Sequence, residues 1–183
     1  MSITKQYQTY YGVKLNHWSE TWADAEYNEI LLKEYPNEYL STVSNSTVSS
    51  ITFMYPSLYK NKYYIDGFVE GHFTLYNTSS TTTFTITGYD VTLYRAKDIQ
   101  NEEEEIGSFS NILDTDNDIA PEGYLTLPIY FNVSQSLVVE DERLLLSLSF
   151  VESSASYDYV AFSHWNDSSI PDLQIKIPYA PKG

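Results

Sequence analysis

Much of this chain alternates apolar and polar residues with a period of two, and this alternation limits what it can fold into. Within residues 143–151, Leu144, Leu146, Leu148 and Phe150 fall on one side. Successive side chains of a β-strand point to opposite faces of the sheet, so this pattern is typical of a half-buried strand. Similar runs, separated by turn residues, cover residues 51–55, 64–77, 83–96, 124–133, 157–162 and 173–177. Seven or eight strands at near-regular spacing predict an all-β fold, an antiparallel, jelly-roll-like β-sandwich.

The composition favours the same fold class. Of the 183 residues, 18 are tyrosine and 8 are phenylalanine, and 42% are hydrophobic. Aromatic and β-branched side chains suit the pleated, half-buried surface of a sheet. A chain of this length is the size of one domain, and it contains no cysteine. We therefore expect a folded core without disulfides or a cysteine-ligated metal.

The first part of the chain lacks the alternation. Residues 1–48 are predicted to form an irregular N-terminal arm, followed by the β-sandwich domain of residues 49–183. In the arm, Ser19 is positioned to cap a helix with acidic first turns, and Pro36 would end it. These signals predict one short helix inside the arm.

Three local features predict how the strands connect. The runs at 64–77 and 83–96 flank a turn-like segment, which predicts one long hairpin. Gly67 and Gly71 predict a bend or bulge within the first run. Residues 102–118 begin with four consecutive glutamates and are predicted to be a long polar connection.

The charge balance excludes one class of partner. Ten Lys and Arg residues against 25 Asp and Glu give a formal net charge of −15. Nucleic-acid binders gather basic residues to neutralise phosphates, whereas the basic residues here are scattered. We expect no binding to nucleic acid or to anionic membranes.

Signals for catalysis are missing from the sequence. His17, His72 and His164 are isolated, and the chain has no nucleophile elbow, zinc-binding helix or phosphate-binding glycine loop. Many pairs of carboxylates exist, but nothing selects one as a glycosidase pair. We therefore expect no enzymatic activity and no cofactor, with calcium as the one candidate ion.

The calcium candidates are Asp114, Asp116 and Asp118. Alternating carboxylates in a loop can converge as the hard oxygen ligands that calcium prefers. An EF-hand would need glycine and glutamate where Ile119 and Leu125 stand, so that motif fails. The alternative is a solvated acidic loop.

Aromatic residues supply two alternative interaction sites. Aromatic residues of the arm must bury either on their own sandwich or on a neighbouring subunit. The candidates for a protein interface are Tyr7, Tyr10, Tyr11, Trp18 and Trp22. If the surface instead binds sugar rings by stacking, the candidates are Trp18, Trp22 and Trp165.

Other sequence signals concern location. Asn-x-Ser/Thr sequons at Asn45, Asn77, Asn132 and Asn166 are attributed to chance in a chain rich in serine and threonine. The start of the chain lacks the apolar region of a signal peptide, and no apolar stretch approaches the ~18 residues that span a bilayer. These features predict a soluble cytoplasmic chain.

The sandwich resembles small accessory virion proteins of tailed viruses, such as bacteriophage decoration, collar, fibre-base or tail-ring subunits. The resemblance covers roughly residues 49–178 and lies in the acidic balance and in strands rich in Tyr, Ser, Thr and Asn, such as residues 71–77 (GHFTLYN) and 142–148 (ERLLLSL). It implies a non-enzymatic structural protein that assembles with itself, as a symmetric homo-oligomer, or with other virion proteins on a capsid or tail. It carries over no functional residue. The alternative is a carbohydrate-binding β-sandwich module, with calcium as a potential ligand.

Overall fold

The computed structural model describes residues 5–14, 20–22, 25–27, 29–33, 50–56, 59–60, 62–77, 79–97, 102–152, 160–161 and 173–181. Every regular element in these residues is a β-strand. The strands are β1 (Gln6–Lys14), β2 (Glu20–Trp22), β3 (Ala25–Tyr27), β4 (Glu29–Leu32), β5 (Ser50–Met54), β6 (Tyr63–Asn77), β7 (Phe84–Lys97), β8 (Glu102–Ile119), β9 (Tyr124–Val138), β10 (Arg143–Glu152), β11 (Val160–Ala161) and β12 (Leu173–Pro181). Within these residues, no helix is long and apolar enough to cross a membrane.

The strands form one large sheet that folds back on itself. One half runs β8-β7-β10-β5 and the other runs β4-β1-β12-β6-β9, with β11 also paired to β6. The two halves meet where β4 and β5 pair in parallel, with Ile30 opposite Met54, and all other pairs are antiparallel. β2 and β3 form a separate hairpin. The predicted all-β, sandwich-like fold is confirmed.

The core lies between the two halves of the sheet and follows the alternation of the sequence. On β9, Leu127, Ile129, Phe131 and Val133 are buried, and the residues between them are exposed. The matching side of β10 contributes Leu144, Leu146, Leu148 and Phe150. Burial of such side chains contributes about 1.5–3 kcal/mol each. The period-two pattern therefore identified the inward-facing residues of these strands correctly.

The helix predicted in the arm is wrong. The described residues between 20 and 32 form β2, β3 and β4, and β1 pairs with both β4 and β12. Ile30 and Leu31 are buried, so this segment belongs to the main sheet. Local capping signals were overridden because β4 joins the edges of β1 and β5, and these tertiary contacts outweigh a weak helical preference.

The predicted hairpin of β6 and β7 is also wrong. β6 pairs with β9 and β12, whereas β7 pairs with β8 and β10 in the other half of the sheet. The connection after Asn77 crosses from one half to the other. Turn residues such as those at 79–83 occur both in hairpins and in connections between two halves of a sheet. The sequence pattern therefore did not distinguish a hairpin from a crossing connection.

The acidic segment predicted as a connection is strand β8. Glu102, Glu103, Glu104 and Glu105 pair in register with residues 94–97 of β7. Arg95 forms ion pairs with Glu104 and with the buried Glu142, whose carboxylate lies 3.2 Å away. The basic residues of β7 offset the clustered negative charge, so the run of glutamates is compatible with a strand.

The glycine signals in β6 are explained by the backbone. Gly67 has φ of +125°, and the register of β6 against β9 shifts between Ile65 and Gly67. Glycine adopts this conformation at no steric cost, so the predicted bulge is confirmed there. Gly71 instead lies where β12 approaches closely.

Candidate binding site

The interior of the sandwich opens to solvent at one end of β1. Gln6, Gln8 and Tyr10 are alternate residues of this strand and face the same side. Tyr10 is only 1% exposed, Gln8 is half-buried and Gln6 is exposed. Polar residues therefore occupy inward positions where the core ends, and such a mouth is a common place for a ligand site.

A cleft of ≈ 440 Å³ lies at this mouth, and we name it the tyrosine cleft. This volume falls within the range of about 300–1,000 Å³ that is typical of small-molecule sites. Its lining residues are Gln6, Tyr7, Gln8, Tyr10, Lys33, Tyr55, Tyr59, Lys60, Tyr63 and Tyr179. They come from β1, from the end of β4, from residues 55–63 and from β12.

Three tyrosine hydroxyls of the tyrosine cleft form a hydrogen-bonded chain. The Tyr179 hydroxyl lies 2.7 Å from that of Tyr10 and 2.6 Å from that of Tyr59. Three neutral hydroxyls carry three protons, and the two links use two of them. The hydroxyls of Tyr10 and Tyr59 also interact with each other, so the third proton has a partner within the same group.

The tyrosine rings hold one another at fixed angles. The Tyr10 and Tyr55 rings meet edge to face, with centroids 5.2 Å apart. The Tyr59 ring is tilted against those of Tyr63 and Tyr179, at 6.2 Å and 6.3 Å. Such geometries are favourable for aromatic pairs, and they preorganise the wall of the cleft.

The electrostatics of the tyrosine cleft are neutral to positive. Burial raises the pKa of Tyr10 from 10.0 to about 12, and it raises the pKa values of Tyr59 and Tyr179 well above their usual range. These hydroxyls therefore stay protonated at neutral pH. The Lys33 ammonium lies 5.6 Å from the centre of the Tyr55 ring, within reach of a cation–π interaction.

We expect the buried tyrosines to make the protein sensitive to alkali. Unfolded tyrosine ionises near pH 10, whereas native Tyr10 ionises only near 12. Stability is therefore retained below pH 10 and lost as the pH rises from 10 to 12, by about 2–3 kcal/mol from Tyr10 alone. Phenolate absorbance should show one group of tyrosines titrating early and another titrating only with unfolding. If the absorbance of all tyrosines rose in a single step at about pH 10 while the protein stayed folded, the buried chain of hydroxyls would be contradicted.

The residues predicted to form a protein interface differ in their location and burial in the structure. Tyr7 and Tyr10 line the tyrosine cleft, and Tyr10 packs in the core of its own sandwich. Tyr11 is half-buried on β1, opposite Gln174 and Leu32. Trp18 lies outside the described residues, as does the sugar-stacking candidate Trp165, and only the backbone of Trp22 is described, on β2.

The calcium candidates lie on strand β8, where its pairing with β7 is interrupted. Ile112 of β8 is paired with Gly88 of β7, and the next pair is Asn117 with Ile86. Four residues of β8 therefore lie opposite a single residue of β7. Asp114 and Asp116 lie in this insertion, and their side chains are outside the described residues. Asp118 is exposed and accepts a hydrogen bond of 2.7 Å from the Thr85 hydroxyl.

The titratable residues that are described form no metal centre. No group of three or more metal-ligating side chains occurs among them. His72 is half-buried on β6, where burial lowers its pKa. His17 and His164 lie outside the described residues.

A second aromatic surface lies on the outside of β6 and β9. The Phe68 and Tyr130 rings are stacked, with centroids 4.9 Å apart, and are 48% and 51% exposed. We name this pair, together with the exposed Tyr124 ring that stacks on the buried Tyr76, the outer aromatic face. Large exposed aromatics of this kind are enriched at protein interfaces.

Most residues of the tyrosine cleft were not predicted from the sequence. Tyr7 and Tyr10 were predicted as interaction residues, whereas Tyr55, Tyr59 and Tyr179 were not. A usable signal was the pair of glutamines at inward positions of the strand that carries Tyr10, because polar inward residues indicate where a core ends. The other tyrosines join them only through the topology.

Comparisons with known proteins show weak similarity of fold and nothing more. No protein-family model matches the sequence, and no curated protein matches it significantly. Solved structures that match include an aminopeptidase from the marine sediment archaeon Thaumarchaeota archaeon, 7% identical with a TM-score of 0.45 over 75% of this chain and 25% of that chain. A CocE/NonD family hydrolase from Staphylococcus aureus is 9% identical, with a TM-score of 0.46 over 94% of this chain and 36% of that chain.

A third similar structure is an α-amino acid ester hydrolase, 10% identical with a TM-score of 0.44 over 76% of this chain and 26% of that chain. The chain thus spans about a quarter to a third of the length of these proteins. At this level of similarity, their activities say nothing about the tyrosine cleft.

Proposed function

We propose that the protein is a non-catalytic binding protein whose tyrosine cleft binds carbohydrate. The observation that carries this proposal is the concave mouth of the sandwich, where six tyrosine rings and two glutamine amides converge. The sequence alone favours a structural subunit over a carbohydrate-binding module, whereas the tyrosine cleft supports the carbohydrate-binding module.

The chemistry of the tyrosine cleft matches that of a sugar ring. A sugar presents apolar C–H faces together with a ring of hydroxyls. The Tyr55 and Tyr63 rings offer apolar contact area at low conformational cost. The side chains of Gln6 and Gln8 can donate and accept hydrogen bonds.

The lining of the tyrosine cleft favours binding over hydrolysis. Glycoside hydrolysis requires a pair of carboxylates flanking the bond that is cleaved. The described lining residues are tyrosines, glutamines and lysines, and none of them carries a carboxylate or an imidazole. The raised pKa of Tyr10 makes its hydroxyl a poor general base at neutral pH.

A binding screen with matched variants tests the proposal. Oligosaccharides of glucose, galactose and N-acetylglucosamine would be tested by saturation-transfer NMR. Tyr55→Ala removes a ring from the wall and should weaken binding at least about tenfold, since aromatic residues dominate such contacts. Tyr130→Ala removes an exposed tyrosine from the outer aromatic face and should leave binding unchanged. Loss of binding in Tyr130→Ala would count against the tyrosine cleft as the sugar-binding site. Unchanged binding in both variants would count against it as well.

A second candidate function is the structural subunit predicted from the sequence, and the outer aromatic face favours it. The partner at the outer aromatic face would be a second copy of the chain. Acidic and basic side chains balance on this face, although the whole chain has a net charge of −15. Lys5 lies 3.5 Å from Asp66, and Lys176 stands opposite Glu70. Two copies can therefore meet there without strong local repulsion.

Point variants test this second candidate better than truncation, because β1 is part of the main sheet. Light scattering should detect an oligomer of the native protein. Phe68→Ser combined with Tyr130→Ser should give a folded monomer, whereas Tyr7→Ser, which alters the tyrosine cleft, should leave the oligomer intact. A native monomer, or an oligomer unaffected by the double variant, would refute self-association through this face.

A further inference from the structure

We infer that the sugar bound in the tyrosine cleft carries an anionic group, an inference that rests on the proposed function. The charges of the lining point to this ligand class. A uronic acid and a sulfated sugar share this chemistry.

The charge of the tyrosine cleft is opposite to that of the protein. The chain has 10 basic and 25 acidic residues, yet the only charged side chains among the described lining residues are Lys33 and Lys60. No ion pair joins either lysine to a carboxylate among the residues that the structure describes. The two lysines place positive charge on the lining, which favours an anionic ligand; Asp141 and Glu142 bond to the backbone of Tyr59, next to Lys60, but do not line the cleft.

The positions of these groups suit an anion attached to a ring. Lys33 is located over the Tyr55 ring, so a sugar in contact with this ring lies next to an ammonium group. Hydrogen bonds to an ionised acceptor are about twice as strong as neutral ones, so a donor in the lining favours an anion. The Gln8 amide donates one proton to the Thr9 carbonyl at 2.9 Å and keeps a second.

Four probes separate the contributions of ring and charge. Glucuronate and glucose differ in the carboxylate, gluconate carries the carboxylate without the ring, and glucose 6-sulfate replaces the carboxylate by a sulfate. We expect glucuronate or glucose 6-sulfate to bind at least about fivefold more tightly than glucose at low salt. This preference should vanish in 1 M salt, where charges are screened beyond about 3 Å.

Lysine variants assign the preference to the tyrosine cleft. Lys33→Gln and Lys60→Gln should each weaken binding of the anionic sugar about three- to fivefold, and glucose binding should change little for Lys60→Gln. Lys176→Gln, at an exposed lysine on the outer face of β12, is the matched control and should have no effect. Thermal unfolding would verify that each variant is folded.

The outcomes distinguish this inference from the proposed function. If glucose and the anionic sugars bind equally and the lysine variants have no effect, the charge preference is refuted while carbohydrate binding stands. If none of the sugars binds, both fail. If gluconate binds as tightly as glucuronate, the cleft recognises charge without a ring, and both are again overturned.

Discussion

Gly71→Ala is expected to destabilise the protein by about 3–4 kcal/mol, which is a large effect for one methyl group. Gly71 lies on β6 between Ile175 of β12 and Ile129 of β9. A Cβ at this position would overlap the carbonyl oxygen of Gln174 and lie 2.8 Å from the Cα of Ile175. These are backbone atoms of the neighbouring strand, so relief requires β12 to move away from β6.

Gly88→Ala is the matched control for this prediction. Gly88 is also a strand glycine, on β7, but its Cβ would meet one backbone oxygen at 3.0 Å and nothing else closer than 3.7 Å. We expect the control to change stability by about 1 kcal/mol or less. Denaturant unfolding of both variants is the measurement. Equal stabilities would show that β6 and β12 are not as closely apposed as the structure has them.

Asn77→Asp is expected to cost about 3–5 kcal/mol at neutral pH. Asn77 is fully buried, and its amide nitrogen donates to the carbonyls of Thr82 and Ile119 at 2.7 Å and 2.9 Å. Its side-chain oxygen accepts from the Ser79 backbone N–H at 3.0 Å. A carboxylate of the same shape keeps the last bond but turns a negative oxygen towards two carbonyls.

The pH dependence separates this charge effect from packing. Burial beside carbonyls raises the pKa of the introduced carboxyl above its unfolded value of about 3.9. The charge part of the penalty is therefore absent below that value and grows as the pH rises, because only then does folding have to keep the group protonated or bury its charge. A smaller cost stays at every pH, because a protonated carboxyl donates one hydrogen bond where the amide donates two. Stability of the variant relative to the native protein should recover at acidic pH. A cost independent of pH would contradict the account.

Asn132→Asp is the matched control for Asn77→Asp. Asn132 is likewise the asparagine of a sequon, but it is exposed on the outer side of β9. We expect a change within about 0.5 kcal/mol, as is usual at the surface. The contrast also bears on the sequons: at Asn77 the amide is buried and fully engaged, so that site is closed to a glycan in the folded chain.

The sequence predicted the strands whose inward and outward faces differ. β9 was recognised because only one face packs in the core, which produces the strict alternation of Leu127, Ile129 and Phe131. β10 was recognised from Leu146, Leu148 and Phe150, although Leu145 on its other face is also buried. β8 was missed because it begins with four glutamates, of which Glu104 is exposed and forms an ion pair with Arg95 on the neighbouring strand β7. β4 was missed because only its contacts with β1 and β5 make it a strand.

The tyrosine cleft could not be predicted from local sequence. Tyr10 and Tyr179 are brought together by the pairing of β1 with β12, and Tyr59 joins them through its hydroxyl. These residues are far apart in the chain, and no spacing rule links them. The predicted sugar-binding residues were tryptophans because a large exposed ring is the usual local signal, whereas the described cleft is made of tyrosines.

The most direct test of carbohydrate binding in the tyrosine cleft is an NMR titration of protein labelled on its tyrosine rings. Variants such as Tyr55→Phe and Tyr130→Phe would assign the signals, and an oligosaccharide from the binding screen would be the titrant. The account predicts shifts for the rings of Tyr55, Tyr59 and Tyr63, with those of Tyr124 and Tyr130 unchanged. Shifts confined to Tyr124 and Tyr130, or no shift at saturating sugar, would contradict it.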